Sequence, residues 1–231
     1  MYKIERNWEN VNHAVFEDSV SRYDIPVIHP ARFRLPENWI SFNYTRTCRK
    51  LERTGVHFFV DDYQFMRIWT YPDKYTGLLS TFHAVMSPDF SMYTDFPRAL
   101  QIYNHYRKHW CAAYWQYHGI NVIPTIGWSD EESYEWCFTG EPVGGVMAVS
   151  AIGTQNNTRT KELFDKGYKE MKRRLKPDLI IFYGPVPEQC KDDPVITIRA
   201  YQEKLWEIKK GDIFAIAVNQ IRGITKTHTP N

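Results

Sequence analysis

The sequence lacks the features that define several large classes of protein. Its four cysteines form no Cys-x-x-Cys pair, and no stretch approaches the roughly 18 uninterrupted apolar residues of a membrane-spanning helix. The first residues have no apolar core of the secretory type. Charge of one sign is not in excess either, because 29 basic residues face 27 acidic ones. These absences predict a cytoplasmic protein with reduced cysteines, no membrane partner and little attraction to bulk nucleic acid.

Common nucleotide-binding, metal-binding and nucleophile motifs are missing as well. The chain contains no GxxxxGK[ST] or GxGxxG loop, no HExxH helix and no GxSxG turn. His105 and His109 are four residues apart on a predicted helix, a spacing that suits a metal, but solvent-exposed histidines are the favoured interpretation. We therefore expect no metal and no cofactor.

Aromatic residues, in contrast, are abundant. The 231 residues include 8 Trp, 15 Tyr and 13 Phe, or 16% of the chain. Many of these rings are expected to fill the core. The number also suits a groove or pocket lined by rings, in which a flat ligand stacks.

Short apolar runs of strand length recur along the chain and, from Val56 onward, alternate with helical segments. The runs are Ile25–His29, Trp39–Asn43, Val56–Val60, Ala84–Met86, Val122–Ile126, Val146–Val149 and Leu179–Tyr183. Capping residues and stop signals predict helices from Asp95 to His118, from Ser129 to Gly140 and from Asn157 to Leu175. A closing helix over Ile196–Ile208 and a final strand over Asp212–Val218 follow.

This alternation predicts an α/β fold in which crossover helices join parallel strands. We expect a single-domain, compact or incomplete (β/α) barrel over residues 1–222, followed by a polar tail over residues 223–231. An open doubly wound sheet is the alternative, because periodicity does not separate the two architectures.

Carboxyl groups follow two successive predicted strands, at the end where either architecture forms its active site. Asp61 and Asp62 come directly after Val56–Val60, and Asp89 follows Ala84–Met86. Neighbouring strands lie about 4.8 Å apart, so two such groups can flank one glycosidic bond. One carboxyl then protonates the leaving group while the other attacks the anomeric carbon or activates water. The sequence leaves open which of Asp61 and Asp62 faces the site, and whether these residues only cap turns.

Aromatic and hydrogen-bonding side chains surround the same strand ends and suit a nucleobase or a sugar ring. The predicted substrate-binding residues are Asn43, Ser87, Phe90, Ser91, Tyr93, Trp128, Ser129 and Ser150. Arg98, Arg107 and Lys108 on the long helix are predicted to contact phosphates if the substrate is nucleic acid. An ordinary solvated helix face is the alternative for these three residues.

Five segments of the chain carry a resemblance to a known family. They are Gly55–Tyr63, Ser87–Ser91, Tyr103–Trp115, Ile123–Ser129 and Ala148–Gly153. Over about residues 30–184, the chain resembles the prokaryotic family called domain of unknown function 4417. Members are often carried by phages and other mobile elements, which implies nucleic-acid transactions or phage–host conflict but no particular activity. The layout is also similar to tRNA-guanine transglycosylase-type barrels, whose Asp-Ser-Gly-Gly-Phe-Gln signature is absent here.

Together these features predict a hydrolase or transferase that acts on an N-glycosidic or related bond of a nucleobase-containing substrate. Asp61 or Asp62 and Asp89 are the expected acid, base or nucleophile, and the partner is a small molecule or a nucleic acid, as in a base glycosylase of phage–host conflict. A non-catalytic binding module of a mobile element is the main alternative, and a DNA-binding replication or partition factor is another. Asp89→Asn distinguishes an enzyme from a binding module, and salt-dependent affinity identifies the DNA-binding factor.

Overall fold

The computed structural model describes residues 16, 18–32 and 34–200. Its strands are β1 (Ser19–Val20), β2 (Ile25–Pro26), β3 (Asn38–Ser41), β4 (Thr54–His57), β5 (Ala84–Met86), β6 (Val122–Ile123), β7 (Val146–Ser150), β8 (Leu179–Tyr183) and β9 (Val195–Ile198). Its α-helices are α1 (Arg67–Thr70), α2 (Pro72–Leu79), α3 (Arg98–Tyr117) and α4 (Thr158–Leu175). Short 3-10 helices cover Phe42–Thr47, Leu51–Arg53, Asp62–Gln64, Glu131–Glu135 and Glu188–Cys190.

Strands β3 to β9 are parallel and adjacent in chain order. Strands β3-β4-β5-β6 form one sheet and β7-β8-β9 form a second. A bridge between Thr125 and Ala148 links the two sheets, and the Ala148 N–H donates to Pro124 O over 2.8 Å. No pairing within the described part of the chain joins β9 to β3. The fold is therefore mixed α/β with two parallel sheets, and a closed barrel is not seen.

Two segments near the ends of the described chain differ from the sequence-based expectation. The run Ile25–His29 contributes strand β2, which pairs antiparallel with β1 and lies outside the parallel sheets. The predicted helix Ile196–Ile208 is wrong at its start, because β9 occupies that position with the sequence Val-Ile-Thr-Ile. β-Branched residues pack well on a pleated surface, which explains the strand. The predicted strand Asp212–Val218 and the tail 223–231 lie outside the described residues.

The two long predicted helices are confirmed. Helix α3 ends just before Gly119, whose φ of 79° stops the helix. Helix α4 begins after Asn157, whose side chain accepts a backbone N–H of the first turn, and ends at Lys176 in the left-handed region. The segment after Ser129 forms only the 3-10 helix Glu131–Glu135, followed by turns, instead of a full helix.

Two further properties of the described chain bear on the sequence analysis. The four cysteines are free thiols, and three of them are buried. None of the helices placed in this structure combines the length and the apolar character needed to cross a membrane.

The parallel strands separate an inner apolar cluster from two outer clusters that contain the helices. The inner cluster and the side chains packed on it include residues from every strand from β3 to β9 except β4: Trp39, Ala84, Met86, Ile123, Val146, Ala148, Ile181, Tyr183, Ile196 and Ile198. Alternate residues of the same strands, such as Val85 and Ile180, pack in the outer clusters. Both faces of the strands are thus covered, as parallel sheets require.

Gly167 of helix α4 allows the side chain of Trp128 to pack against that helix. The Trp128 Nε1–H donates to Leu163 O over 3.3 Å, and its ring centroid lies 5.4 Å from that of Phe164. A Cβ atom at position 167 would overlap the indole. The absence of a side chain at this position is therefore a packing requirement.

We expect Gly167→Ala to lower the free energy of unfolding by about 1–3 kcal/mol, because the added methyl displaces the indole. Gly77→Ala in helix α2 is the matched control, since a Cβ there meets no atom within 4 Å. It should raise stability by up to about 1 kcal/mol through helix propensity alone. Urea denaturation of both variants measures the difference, and a similar gain in both would contradict the packing described.

Candidate functional site

A cleft of about 550 Å³ opens at the carboxyl ends of the parallel strands. Residues at or just after the ends of six strands line it: Phe59, Asp61, Asp89, Ile126, Ser150, Tyr183 and Ala200. Small-molecule sites in proteins usually enclose about 300–1,000 Å³. The cleft therefore has the size of a small-molecule site, and it lies at the end of the strands where parallel α/β proteins form their active sites.

Asp89 supplies a carboxyl group with a strongly shifted proton affinity. Burial and, to a smaller extent, the negative charge of Asp62 raise the pKa of Asp89 to about 7, although Lys108 opposes this effect. No group in the described part of the chain donates a hydrogen bond to this carboxyl. A carboxyl group of this kind can exchange a proton near neutral pH, as a general acid or base must.

Asp61 and Asp62 have different roles in the structure. Asp61 lines the cleft, whereas Asp62 does not. Both carboxylate oxygens of Asp62 accept the Ser91 N–H over 3.2 Å, and one accepts the Ser91 hydroxyl over 2.8 Å. Asp62 thereby ties the loop that carries Asp89 to the turn after β4. Of the two aspartates that the sequence left open, Asp61 faces the cleft and Asp62 anchors its wall.

Asn43 and Gln64 hold Asp61 in place. The Asn43 amide donates to the Gln64 side-chain oxygen, and the Gln64 Nε2–H donates to the Asp61 carboxylate over 3.2 Å. Asn43 does not line the cleft, so its predicted substrate contact is replaced by this indirect role. Gln64 does line the cleft, and the sequence analysis missed it. Its position in the 3-10 helix Asp62–Gln64, three residues after Asp61, is the signal that points to it.

Four of the predicted substrate-binding residues line the cleft besides Ser150: Phe90, Ser91, Tyr93 and Trp128. Phe90 is buried, and its ring lies edge-on to Phe65 at 5.1 Å. Tyr93 is 59% exposed and belongs to the rim. Trp128 is half-buried between the cleft and helix α4. The cleft therefore presents both fixed and solvent-exposed rings.

Phe59 and Tyr183 form a further aromatic pair that the sequence analysis missed. Their rings stack at 4.7 Å with an interplanar angle of 18°, and both residues line the cleft. Both also belong to the inner apolar cluster, so this pair lies where the cleft meets the core. Each residue stands at or near the end of a predicted strand, which is the signal that could have found it.

Ser87 and Ser129 do not line the cleft, which corrects their prediction as substrate contacts. The Ser87 hydroxyl accepts the Thr125 N–H over 2.7 Å, and the Thr125 hydroxyl donates to Ser87 O over 2.9 Å. Ser129 is buried, and its hydroxyl donates to Gln101 over 2.6 Å. The Ser87 hydroxyl thus connects the segment after β5 to the segment after β6, and the Ser129 hydroxyl connects its loop to helix α3.

Arg98 is engaged by acidic groups at the start of helix α3. Its guanidinium lies 3.0 Å from Asp130 and 2.9 Å from Glu132, and its side chain is 34% exposed. Hydrogen bonds from Arg98 help to hold the pKa of Asp130 below its ordinary value in spite of burial, which acts in the opposite direction. The predicted phosphate contact would have to break this ion pair.

Arg107 and Lys108 are buried, which corrects their prediction as phosphate-contacting residues. The Arg107 guanidinium lies 4.0 Å from the centroid of the Phe90 ring, a cation–π geometry. The Lys108 ammonium donates to Thr125 O over 3.0 Å and to Glu141. Neither residue lies on a solvated helix face, so a nucleic-acid backbone does not reach them.

His105 and His109 are also buried, contrary to the expectation of solvent-exposed histidines. Burial lowers the pKa of both imidazoles, and Glu141 partly offsets this effect at His109. Burial alone would raise the pKa of Glu141, but Lys108 and His109 outweigh it and lower that pKa. The ligand atoms of His105, His109 and Glu141 lie within 4.8 Å of one another, close enough to hold a metal.

Comparisons with known proteins identify the family of this chain. The family model described as Domain of unknown function (DUF4417) matches residues 17–202. The chain is 36% identical over 186 residues to the Gene 1 protein of Mycobacterium phage L5, with 80% of each chain covered. It is 35% identical over 185 residues to the Gene 1 protein of Mycobacterium phage D29, covering 79% of this chain and 68% of that protein. No solved structure matches. As its sequence motifs predicted, the chain belongs to the family described as Domain of unknown function (DUF4417).

Proposed function

We propose that the cleft is the active site of an enzyme that hydrolyses or transfers the N-glycosidic bond of a nucleobase-containing substrate. The observation that carries the proposal is the presence of two carboxyl groups, Asp61 and Asp89, in one cleft lined by aromatic rings. Paired carboxyl groups are the usual means of glycosidic-bond cleavage, and rings suit the flat base.

We also propose that strands β3 to β9 form an incomplete (β/α) barrel. Their parallel chain order and the bridge between Thr125 and Ala148 support this arrangement. The inner cluster supports it further, because Trp39 of the first strand packs with the same cluster as Ile198 of the last. A curled sheet of this kind brings the carboxyl ends of all seven strands around one opening.

Asp89 is suited to the role of general acid. With its pKa at about 7, much of this carboxyl group retains its proton at neutral pH. As the bond from the anomeric carbon to the base nitrogen breaks, the electron pair leaves with the nitrogen, and Asp89 transfers its proton to the base. Asp61, held by Gln64, then attacks the anomeric carbon or removes a proton from the water that does so.

The substrate we favour is a free nucleoside or nucleotide. Phe90 and Trp128 supply apolar ring surface inside the cleft, and Ser91 and Ser150 supply hydroxyl groups for hydrogen bonds. The basic side chains that would have followed a polymer backbone are buried or paired with acidic groups. A polymeric substrate with an extruded base is the alternative outcome of the experiment below.

Asp89→Asn and Asp61→Asn should each reduce release of free base by at least about 100-fold, because each removes one ionisable partner of the reaction and keeps the side-chain shape. The purified chain is incubated in parallel with nucleosides, nucleotides, tRNA, plain DNA and modified phage DNA. Mass spectrometry of the small molecules released measures turnover. Asp95→Asn makes the same chemical change at an exposed position outside the cleft and should leave turnover unchanged.

Two results would count against the enzyme. If no pool yields a free base or sugar, while nucleosides still bind, the cleft belongs to a non-catalytic binding module. If a base is released equally by the wild type and both variants, these carboxyl groups do not carry the reaction.

A second consequence of the Asp89 environment concerns stability. The pKa of Asp89 rises from 3.8 to about 7 on folding, so the folded protein holds a proton that the unfolded chain releases. Stability from this group is complete below about pH 4 and falls as the pH rises to about 7. Asp89→Asn should therefore gain stability relative to the wild type across this window. Urea unfolding at about pH 5 and about pH 8 in metal-free buffer measures the free energy of unfolding of the wild type and of Asp89→Asn, with Asp95→Asn as the control. If the difference between Asp89→Asn and the wild type is the same at both pH values, the charge of Asp89 is not buried.

A further inference from the structure

We propose that His105, His109 and Glu141 form a binding site for one divalent metal ion of the zinc class. Two of these side chains come from helix α3, and the third follows the turn at Gly140. Their ligand atoms lie within 4.8 Å of one another, and all three residues are buried. The three residues lie outside the lining of the cleft, and the metal site does not rest on the proposed glycosidic chemistry.

The hydrogen bond of His105 leaves its other nitrogen available as a ligand. His105 Nε2 lies 3.0 Å from the carbonyl oxygen of Thr139. A carbonyl oxygen only accepts, so Nε2 carries the hydrogen and Nδ1 of the neutral ring has a lone pair. Nδ1 is buried and has no hydrogen-bond partner among the described residues. An imidazole fixed in one tautomer by a backbone carbonyl is the common arrangement of a metal-ligating histidine.

His109 is fixed in the same way from its opposite nitrogen. His109 Nδ1 lies 2.7 Å from the carbonyl oxygen of Pro26, so the hydrogen belongs to Nδ1. Nε2 lies 3.0 Å from a carboxylate oxygen of Glu141. In the neutral ring this contact joins a lone pair to a negatively charged acceptor, which is repulsive. A cation held between these two groups converts the repulsion into attraction.

One carboxylate oxygen of Glu141 accepts a hydrogen bond, and the other is available to bind an ion. Oε1 accepts from the Lys108 ammonium, while Oε2 is buried and has no hydrogen-bond partner in the described chain. Lys108 also donates to Thr125 O over 3.0 Å, so its ammonium remains anchored when Glu141 turns toward an ion. Zinc bonds to imidazole nitrogens and carboxylate oxygens are about 2.0–2.2 Å long, so the three ligand atoms, which lie within 4.8 Å of one another, have to move closer together around the ion.

Gly140 brings the segment with Glu141 close to His109. Its φ is 78°, and a Cβ atom at this position would lie 2.7 Å from Pro26 O and 3.0 Å from His109 Nδ1. Any side chain here would push apart the carbonyl and the imidazole that it orients. The positive φ and the close approach both favour glycine, which lets the backbone at position 140 pack directly against the His109 ring.

A small cavity of about 10 Å³ lies beside His105, one of the three proposed ligands. His105 and Lys108 line it together with Asp89 and Gly127, which also line the large cleft. This volume is close to the space that one water molecule needs. Three protein ligands leave one coordination position for such a water, and the cavity lies between the cluster and the cleft.

We expect the full-length chain, purified without a histidine tag, to bind one equivalent of Zn²⁺ and to melt at a higher temperature with the ion than after chelation. Co²⁺ in its place should give visible absorption typical of nitrogen and oxygen ligands. Glu141→Gln and His105→Gln should weaken Zn²⁺ binding at least about tenfold in competition with a chromophoric chelator. His118→Gln, which changes an exposed histidine after helix α3, should bind as the wild type does.

Two outcomes would overturn the site. If the wild type binds no stoichiometric Zn²⁺ and shows no Co²⁺ absorption, a protonated His109 that donates its Nδ1–H to Pro26 O and its Nε2–H to Glu141 explains the cluster instead. If Glu141→Gln and His105→Gln bind Zn²⁺ as tightly as the wild type, the ion occupies another place. The Co²⁺ spectrum of the wild type decides the question even where a variant fails to fold.

Discussion

The buried ammonium group of Lys108 is the interaction on which the arrangement of the cleft depends. A charge removed from water must be compensated by close partners, and Lys108 finds them in Thr125 O and the carboxylate of Glu141. Thr125 is also the residue that bridges to Ala148 and so connects the two parallel sheets. The same ammonium lowers the pKa of Asp89 against the effect of burial. One side chain of helix α3 thus links the junction of the sheets, a buried acidic segment and the carboxyl group of the cleft.

Environment, more than residue type, separates the roles of the three aspartates. Asp62 accepts hydrogen bonds from the backbone and hydroxyl of Ser91, which fix the loop after β5. Asp89 lies on that same loop and accepts no hydrogen bond from the described residues, and the charge of Asp62 adds to the cost of ionising it. The anchoring of the loop by one carboxylate therefore also helps to keep its neighbour protonated. Asp61, oriented by Gln64, remains open to the solvent of the cleft.

The sequence predicts the strands and long helices of this fold well, but it predicts the burial of individual side chains less well. Alternation of apolar runs with capped helices identified six of the seven parallel strands, because such runs have few other ways to be buried on both faces. It also placed Asp61 and Asp89 at one opening, since strand ends converge there. It failed on helix α3, where Arg107, Lys108 and His109 were assigned to solvent. Charged residues usually are exposed, and the partner of Lys108 and His109, Glu141, is too distant in sequence to reveal that they are paired inside.

The burial of polar groups on helix α3 has a physical consequence for what the cleft can bind. A surface for a nucleic-acid backbone needs mobile, solvated cations, yet Arg107 stacks on Phe90 and Lys108 is held by Glu141. Both cations are instead buried, and moving either one would leave a charge inside the protein without its partner. A fixed ring beside an ionisable carboxyl group supports the proposal that the cleft binds one small flat molecule. The same constraint holds the histidines and Glu141 in the geometry from which the metal site is inferred.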